Sequence, residues 1–293
     1  MLCRKPFQFG TALAPCGQCM PCRINKRREW SHRLELEAAL REDNSFVTLT
    51  YADEHLPRNS RNYPSLEAKH LRDWLKRLRT AISPLRVRYF AVGEYGETTF
   101  RPHYHAILFG FPTCRHGLTR KHLSECCAMC SLVQKTWKFG KVELGTVAPE
   151  ACQYVCGYVV KKMTAVDDPR LEGRRPEFAR MSLKPGIGAD MMHEVASVML
   201  DRRFEDHEVP RSLRHGSQEK PLGRYLRRKL AEASGKEIDA EKALRDQFER
   251  LRPLHEEARR SEKSFKTVVV ETHAQAALNK VTKAKLRKKK RTL

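Results

Sequence analysis

The chain has 293 residues, enough for one or two domains with a buried core. Its 57 Lys and Arg outnumber its 35 Asp and Glu and give a formal net charge of +22, which favours a polyanionic partner, nucleic acid before an anionic membrane surface. No apolar run approaches the roughly 18 residues of a membrane span, and residues 1–16 contain no signal-like apolar core. The sequence therefore predicts a cytoplasmic protein without a membrane partner.

Residues 1–22 show no regular periodicity but carry closely spaced cysteines, part of the 10 in the chain. In a cytoplasmic protein thiols stay reduced, so clustered cysteines more often bind metal than form disulfides. Neither of the two clusters has the four-ligand spacing of a standard zinc finger. Two interpretations stay open: a structural zinc, which both clusters could share, and reduced thiols without metal. The clusters are Cys16, Cys19 and Cys22, and Cys126, Cys127 and Cys130 with Cys114 and His116 nearby.

The first predicted helix, residues 23–42, has a strongly basic first half. Its cations either face DNA or form a solvated surface, and the high net charge favours the first interpretation. The residues expected to bind DNA are Arg23, Lys26, Arg27 and Arg28.

Further strands and helices follow in a mixed order. Runs of apolar or alternating residues predict strands, and apolar residues at helical spacing predict helices, one of them capped by Ser65. The order strand, helix, strand, strand, helix, strand, helix predicts an α+β domain, in which helices pack on an antiparallel sheet. The predicted strands cover 46–51, 87–94, 103–109 and 141–147, and the predicted helices cover 65–82, a Cys-rich segment that ends near 139, and 149–163.

The C-terminal third is polar and charged. Residues 174–188 are typical of a loop, and charged helices are expected from about residue 190. From Lys280 to the end the chain has eight basic residues and no acidic ones. Such a tail is typically disordered and often contacts nucleic acid.

Two histidines, His103 and His105, open the strand that ends in AILF. Residues i and i+2 of a strand project from the same face, so the two imidazoles lie side by side. Alone, the pair fits either hydrogen-bonded histidines or a metal site. Glu94 ends the preceding strand, and the turn-rich segment between the strands predicts a hairpin that brings its carboxylate beside both rings. Two imidazoles and a carboxylate with open positions favour a divalent cation such as Mg²⁺ or Mn²⁺.

The helix at 149–163 carries a second polar pattern. Tyr154, Tyr158, Lys161 and Lys162 fall at i, i+4, i+7 and i+8, so they share one face. Two tyrosines at this spacing are typical of a core stripe, but two lysines on the same stripe argue against a core.

These motifs together resemble a known family. HYH beside an apolar strand, followed by a helix that reads Y-x-x-x-Y-x-x-K, resembles the HUH endonucleases that initiate rolling-circle replication. Seven blocks between about residues 15 and 188 resemble the replication initiation protein of the gokushovirus branch of the Microviridae, small single-stranded DNA phages. Residues after about 190 and the Cys-rich insert at 114–130 match no block of this family. The blocks are PCGQCMPCR, FVTLTY, VGEYGE, RPHYHAILFG, YVCGYVVKK, RPEF and KPGIG.

The resemblance implies a domain organisation. Residues 44–190 would form an HUH nuclease fold, α+β with an antiparallel sheet of about five strands and flanking helices. Residues 1–43 would form a Cys-containing basic segment and helix, and residues 191–293 a charged helical extension with a disordered basic tail.

The resemblance also implies an activity. A tyrosine hydroxyl, from Tyr154 or Tyr158, would attack a phosphodiester of the phage origin, keep the 5′-phosphate and release a 3′-OH that primes replication. Mg²⁺ or Mn²⁺ at His103, His105 and Glu94 would polarise the scissile phosphate. The covalent bond keeps its energy, so the same enzyme would rejoin the ends.

Lys161 matches the lysine of the family motif. It would help to deprotonate the tyrosine, position the metal or stabilise phosphate charge, and Lys162 beside it is expected to bind DNA. The expected partners are single-stranded origin DNA and the helicase and polymerase of the bacterial host, in the host cytoplasm. The alternative is a non-catalytic nucleic-acid-binding protein with a structural zinc, and a third hypothesis is a metal-dependent hydrolase that uses no tyrosine.

Overall fold

The computed structural model describes residues 2–10, 12–116, 126–158, 168–202 and 209–289. The strands in these ranges are β1 (Phe7–Phe9), β2 (Ala12–Ala14), β3 (Asn44–Thr50), β4 (Arg88–Tyr95), β5 (Pro102–Phe109), β6 (Val142–Thr146), β7 (Phe178–Met181), β8 (Ser212–His215) and β9 (Gln218–Pro221). The helices are α1 (Met20–Ala39), α2 (Ala68–Ala81), α3 (Ala128–Thr136), α4 (Pro149–Tyr158), α5 (Met191–Asp201), α6 (Gly223–Ser234), α7 (Ala240–Arg260), α8 (Phe265–Thr272) and α9 (Ala274–Lys289).

The fold is α+β, as the sequence predicts. A five-stranded antiparallel sheet has the order β6-β3-β5-β4-β7, with helices on both faces and further helices after it. Strands β4 and β5 are buried almost throughout because they lie inside the sheet and helices cover both of its faces. Among the described residues, no helix combines the length and apolar character that crossing a membrane requires.

Two hydrophobic clusters lie on opposite faces of the sheet. On one face α1 and α4 pack over the central strands, with Leu34 and Val155 against Phe90 and Ile107. On the other face α2 and α3 cover the alternate side chains, including Tyr104. The face is set by strand parity, so Tyr104 points away from the histidines on either side of it.

The start of α2 differs from the prediction. The helix begins at Ala68, and its N-cap is Glu67, whose side chain accepts a hydrogen bond from the Lys69 amide at 3.2 Å. The Ser65 hydroxyl instead accepts from the Arg175 amide at 3.0 Å. Ser65 therefore joins two distant segments and does not cap the helix.

Strand β7 lies where the sequence predicts a loop, within residues 174–188. Its four residues pair with the outer edge of β4, where Met181 lies opposite Phe90. Only Ala179 and Met181 contact the core cluster under α1 and α4. A short edge strand with one apolar side gives little periodic signal, so only the pairing with β4 reveals it.

The N- and C-terminal regions pack against each other. The β1–β2 hairpin, in a segment without clear periodicity, buries Leu13 among residues of α7 and α8, including Leu251 and Phe265. Helices α5 and α6 form another cluster, which includes Leu36 of α1. The outer residues of α1 thus contact the C-terminal region, and its inner residues contact the sheet.

The basic tail forms a helix where the sequence predicts disorder. Helix α9 continues through Lys289, and residues 290–293 lie outside the described ranges. Ala277 is buried, and Lys280 donates to the side chain of Asn25 on α1. Packing against α1 therefore orders a segment whose charge alone favours disorder.

Candidate active site

Three side chains meet at the end of the central strands. Register places Glu94 on β4 directly opposite His103 on β5, and His105 lies two residues further along on the same face. Glu94 Oε1 is 2.5 Å from His103 Nε2 and 3.1 Å from His105 Nε2. One ligand atom from each of the three residues lies within 4.8 Å of the others. The hairpin predicted from the sequence therefore brings these three residues together.

The far side of each imidazole is also held. His103 Nδ1 lies 3.1 Å from the carbonyl oxygen of Arg101, and His105 Nδ1 lies 3.1 Å from Thr48 Oγ1. A carbonyl only accepts, so the proton of neutral His103 is on Nδ1 and its Nε2 presents a lone pair. Thr48 can fix His105 in the same tautomer. Sequence reasoning missed Thr48, because its role depends on the pairing of β3 with β5.

The surroundings make this group suitable for a cation. Glu94 is only 2% exposed and His105 only 5% exposed, while His103 is partly open to solvent. A buried carboxylate needs a compensating charge or hydrogen bonds. Two inward-facing Nε2 atoms and one carboxylate oxygen, with an oriented outer partner on each imidazole, form a ligand set that a divalent metal ion fits. The described residues thus contain a group that can hold a metal at this point.

Tyr154 reaches the same face of the sheet from α4. Its ring centroid lies 5.4 Å from that of His105 and 6.2 Å from that of Phe46, both edge to face. The side chain is 46% exposed, although its neighbours Val155 and Cys156 are fully buried. Helix α4 therefore anchors through its apolar side and presents this tyrosine beside the histidines and open to a substrate.

Other tyrosines near the sheet do not share this environment. Tyr104 lies on the opposite face, where its hydroxyl contacts that of Tyr51 at 2.8 Å. Burial raises the pKa of Tyr104 to about 12, against a smaller lowering by the Tyr51 hydrogen bond, and burial also raises the pKa of Tyr51. Both hydroxyls are committed to the core and are not available as nucleophiles.

The second predicted tyrosine and the two lysines are described less completely. Tyr158 is the last residue of α4, and only its backbone position is described. Lys161 and Lys162 lie outside the described residues. Backbone geometry places Tyr158 one helical turn, about 6 Å along the axis, from Tyr154.

The basic residues of α1 lie on the same side of the sheet as α4. Arg27 Nε donates to the carbonyl oxygen of Gln153 at 3.0 Å, one residue before Tyr154. Arg28 donates to the carbonyl oxygen of Glu219 at 3.3 Å. Lys26 and Arg28 are exposed, and Arg23 is partly exposed. Arg27 thus helps to hold α4 on α1, while Lys26 and Arg28 are the accessible cations of this group.

A cavity of about 540 Å³ opens beside His103. It lies where β3, β4 and β5 end, and it exposes both cations and carboxylates to solvent. The carbonyl oxygen of Arg101 accepts from His103, and the guanidinium of Arg101 donates to Asp53 at 2.5 Å. The lining residues are Thr50, Tyr51, Ala52, Asp53, Glu54, Gly96, Thr99, Arg101, Pro102, His103 and Lys141.

The cysteines form two separate groups of four. Cys16, Cys19 and Cys22 come together as expected, and Cys3 joins them. Sequence reasoning missed Cys3 because the intervening β1–β2 hairpin, which brings it back to Cys16, has no sequence signal. The structure does not merge this group with the second one, so a single zinc shared by both is wrong; His116 is not a member of either. The second group is Cys114, Cys126, Cys127 and Cys130.

Comparison with known families supports the resemblance inferred from the motifs. The family described as Replication-associated protein ORF2 matches residues 44–163, which include β3 to β6 and α4. No solved structure matches the chain.

Three curated phage proteins are similar to the chain. Replication-associated protein VP4 of Bdellovibrio phage phiMH2K is 34% identical over 160 residues, which cover 53% of this chain and 50% of the relative. Replication-associated protein ORF2 of Spiroplasma virus 4 is 29% identical over 223 residues, 74% of this chain and 67% of the relative. Replication-associated protein ORF4 of Chlamydia phage 1 is 30% identical over 179 residues, 57% of this chain and 43% of the relative.

The chain thus spans about half the length of two of these relatives. The matches confirm that it resembles the replication-associated proteins of Microviridae-type phages.

Proposed function

We propose that this chain initiates replication of a small single-stranded DNA phage by nicking the origin through a covalent 5′-phosphotyrosine. The observation that carries the proposal is the meeting of Glu94, His103 and His105 at one point, with Tyr154 in ring contact with His105. The similar phage proteins, which are named as replication-associated, support the biological role. The formal net charge of +22 supports a nucleic-acid substrate.

The reaction is a transesterification. The phenolic oxygen of Tyr154 loses its proton and bonds to phosphorus, and the bond from phosphorus to the 3′-oxygen breaks. That oxygen takes up a proton and becomes the 3′-OH that primes synthesis. The 5′-phosphate stays on the tyrosine, so an incoming 3′-OH can reverse the step and rejoin the strand.

The residues around the tyrosine bind and orient. Glu94, His103 and His105 would hold Mg²⁺ or Mn²⁺, which as a bound ion polarises a phosphate oxygen. The fixed outer partners of the two imidazoles keep both Nε2 lone pairs pointed at one position. Lys161 would stabilise phosphate charge or accept the tyrosine proton.

Other parts of the surface would bind the strand and its partners. Arg23, Lys26, Arg28 and Lys162 supply cations for single-stranded origin DNA, and Arg27 positions α4 between them. A replication initiator of this type would work with the helicase and polymerase of the host, in the host bacterial cytoplasm.

A covalent-adduct assay tests the proposal. The full chain is incubated with single-stranded DNA that spans the origin of its own phage genome and with Mn²⁺, then run on a denaturing gel. We expect a DNA–protein band that resists denaturation, is lost in His103→Ala/His105→Ala, and persists in the control His193→Ala, an exposed histidine on α5. Cleavage without an adduct would favour the hydrolase that uses no tyrosine.

The two tyrosines are separated by the same assay. A complete round of rolling-circle replication needs a second cleavage while the first DNA end is still attached. We expect Tyr154→Phe and Tyr158→Phe each to keep some single-turnover nicking and the double variant to form no adduct, while the control Tyr63→Phe behaves as wild type. Peptide mapping that finds DNA on one tyrosine only, in every variant, would leave a one-nucleophile enzyme.

The non-catalytic alternative rests on a different observation, the two groups of four cysteines. In that case the protein would bind DNA in a salt-sensitive manner and neither cleave it nor form an adduct with it. Substitution of the histidines would then leave every DNA-dependent property unchanged.

A further inference from the structure

The two groups of four cysteines take no part in the proposed nicking site. We propose that each group binds its own structural Zn²⁺, so that the chain contains two zinc ions that clamp different segments onto the nuclease domain. The first site consists of Cys3, Cys16, Cys19 and Cys22, and the second of Cys114, Cys126, Cys127 and Cys130.

The sulfur spacing fits tetrahedral coordination. A Zn–S distance of about 2.3 Å in a tetrahedron places sulfurs about 3.8 Å apart. In the first group Cys19 Sγ lies 3.8 Å from Cys3 Sγ and 3.4 Å from Cys22 Sγ.

The second group has the same spacing. Cys114 Sγ lies 3.6 Å from Cys126 Sγ and 4.0 Å from Cys127 Sγ. A disulfide would need about 2.05 Å and would join sulfurs in pairs. All four sulfurs of each group instead lie within 4.8 Å of one another, so each set surrounds a single point.

Backbone amides support thiolates in the first group. The Cys16 amide donates to Cys3 Sγ at 3.3 Å, and the Cys19 amide donates to Cys16 Sγ at 3.3 Å. The Arg4 amide donates to Cys19 Sγ at 3.5 Å. Hydrogen bonds to ligand atoms orient them and stabilise their negative charge, as the outer partners of metal ligands do. Such a set suits bound thiolates better than neutral thiols, which are weak acceptors.

The first zinc would connect both ends of the chain. Cys3 precedes the β1–β2 hairpin, Cys16 and Cys19 follow it, and Cys22 lies in the first turn of α1. The hairpin in turn buries Leu13 among α7 and α8, and Gln247 on α7 donates to the Leu13 carbonyl oxygen at 3.0 Å. The hairpin is only three residues on each strand and has little core of its own. A metal clamp at its base would therefore hold the C-terminal helices through it.

The second zinc would act on the other face of the sheet. Cys114 follows β5 and Cys130 lies in α3, and both are buried in the cluster that contains Trp137. The ion would fix the chain after β5 against α3, which packs on α2. The sites thus stabilise opposite faces, and neither includes a residue of the proposed nicking site.

Metal analysis of the full chain, purified under reducing conditions, tests the proposal. We expect two zinc ions per chain, one in Cys3→Ser, one in Cys114→Ser and none in the double variant. The control is Cys152→Ala, a buried cysteine of α4 outside both groups, which should keep both ions. Zinc at Glu94, His103 and His105 would add a third ion, so the measurement is repeated in His103→Ala/His105→Ala, where the count of two must remain.

Three further readouts protect the test from misfolded variants. Replacement of zinc by Co²⁺ in the wild type should give the visible absorption of tetrahedral thiolate coordination. Limited proteolysis of Cys3→Ser should release the C-terminal helices before the sheet is cut, whereas Cys114→Ser should first expose the segment after β5. Wild-type protein with no zinc, iron in its place, or cysteines shown by mass to be paired as disulfides would overturn the proposal.

Discussion

The hydrogen bond between Thr48 and His105 predicts how an outer residue controls metal affinity. Thr48→Val keeps the shape and the β-branched side chain but removes the oxygen that lies 3.1 Å from His105 Nδ1. In the metal-free variant the ring proton can move to Nε2 and be donated to Glu94 Oε1, 3.1 Å away. With metal on Nε2 that tautomer is not available, and the Nδ1–H group loses the Thr48 acceptor. The cost of the substitution therefore falls mainly on the metal-bound state.

The size of the effect follows from the loss of that acceptor. His105 is 5% exposed, so water does not easily replace Thr48. A buried donor that loses its acceptor costs about 1–3 kcal/mol, which corresponds to roughly a 5- to 150-fold loss of affinity. Loss of outer partners of metal-binding histidines has a similar effect elsewhere, about 10- to 100-fold.

Nicking titrated with Mn²⁺ measures this loss. We expect the midpoint for Thr48→Val to rise by about 10-fold or more and the rate at saturating Mn²⁺ to approach the wild-type rate. The matched control is Thr50→Val, on the same strand and face, since the Thr50 hydroxyl donates to the Lys141 carbonyl oxygen and not to a histidine. Equal midpoints for the two variants would refute the assignment of Thr48 as the residue that orients His105.

Three further predictions concern stability and DNA binding. Arg88→Met should destabilise the fold by about 3–5 kcal/mol, because Glu37 is fully buried and its carboxylate lies 2.6 Å from Arg88 Nε; a loss under about 1 kcal/mol in urea unfolding would contradict this. Gly93→Ala should cost about 1–3 kcal/mol, since its Cβ would lie 2.9 Å from the Phe178 ring, and an unchanged midpoint of thermal unfolding would show that β7 yields freely. Removal of residues 280–293 should lower the slope of log K against log salt by about 0.7 per lost phosphate contact, and an unchanged slope would show that this segment does not touch DNA.

The sequence by itself predicted the sheet and the convergence of its polar residues. Strands β3 to β6 each carry enough apolar residues to show their period. The side-chain period of two puts His103 and His105 on one face whatever the rest of the chain does. A short turn-rich link forces β4 and β5 to pair, so Glu94 follows. These features depend on neighbours along the chain, which is why local pattern is sufficient for them.

Only the tertiary structure decided features that depend on distant partners. Strand β7 exists because β4 offers an unpaired edge, and Thr48 contacts His105 because β3 and β5 are adjacent. Cys3 meets Cys16 through a hairpin whose strands have three residues each.

The C-terminal tail shows the same limit in its energetics. Its basic residues repel one another and favour disorder, but Ala277 is buried and Lys280 contacts Asn25 on α1, far earlier in the chain. Burial against another helix offsets the conformational entropy of ordering the segment, and that gain appears only when the partner surface is in place. Periodicity reports the faces of an element, whereas the tertiary fold decides what each face meets.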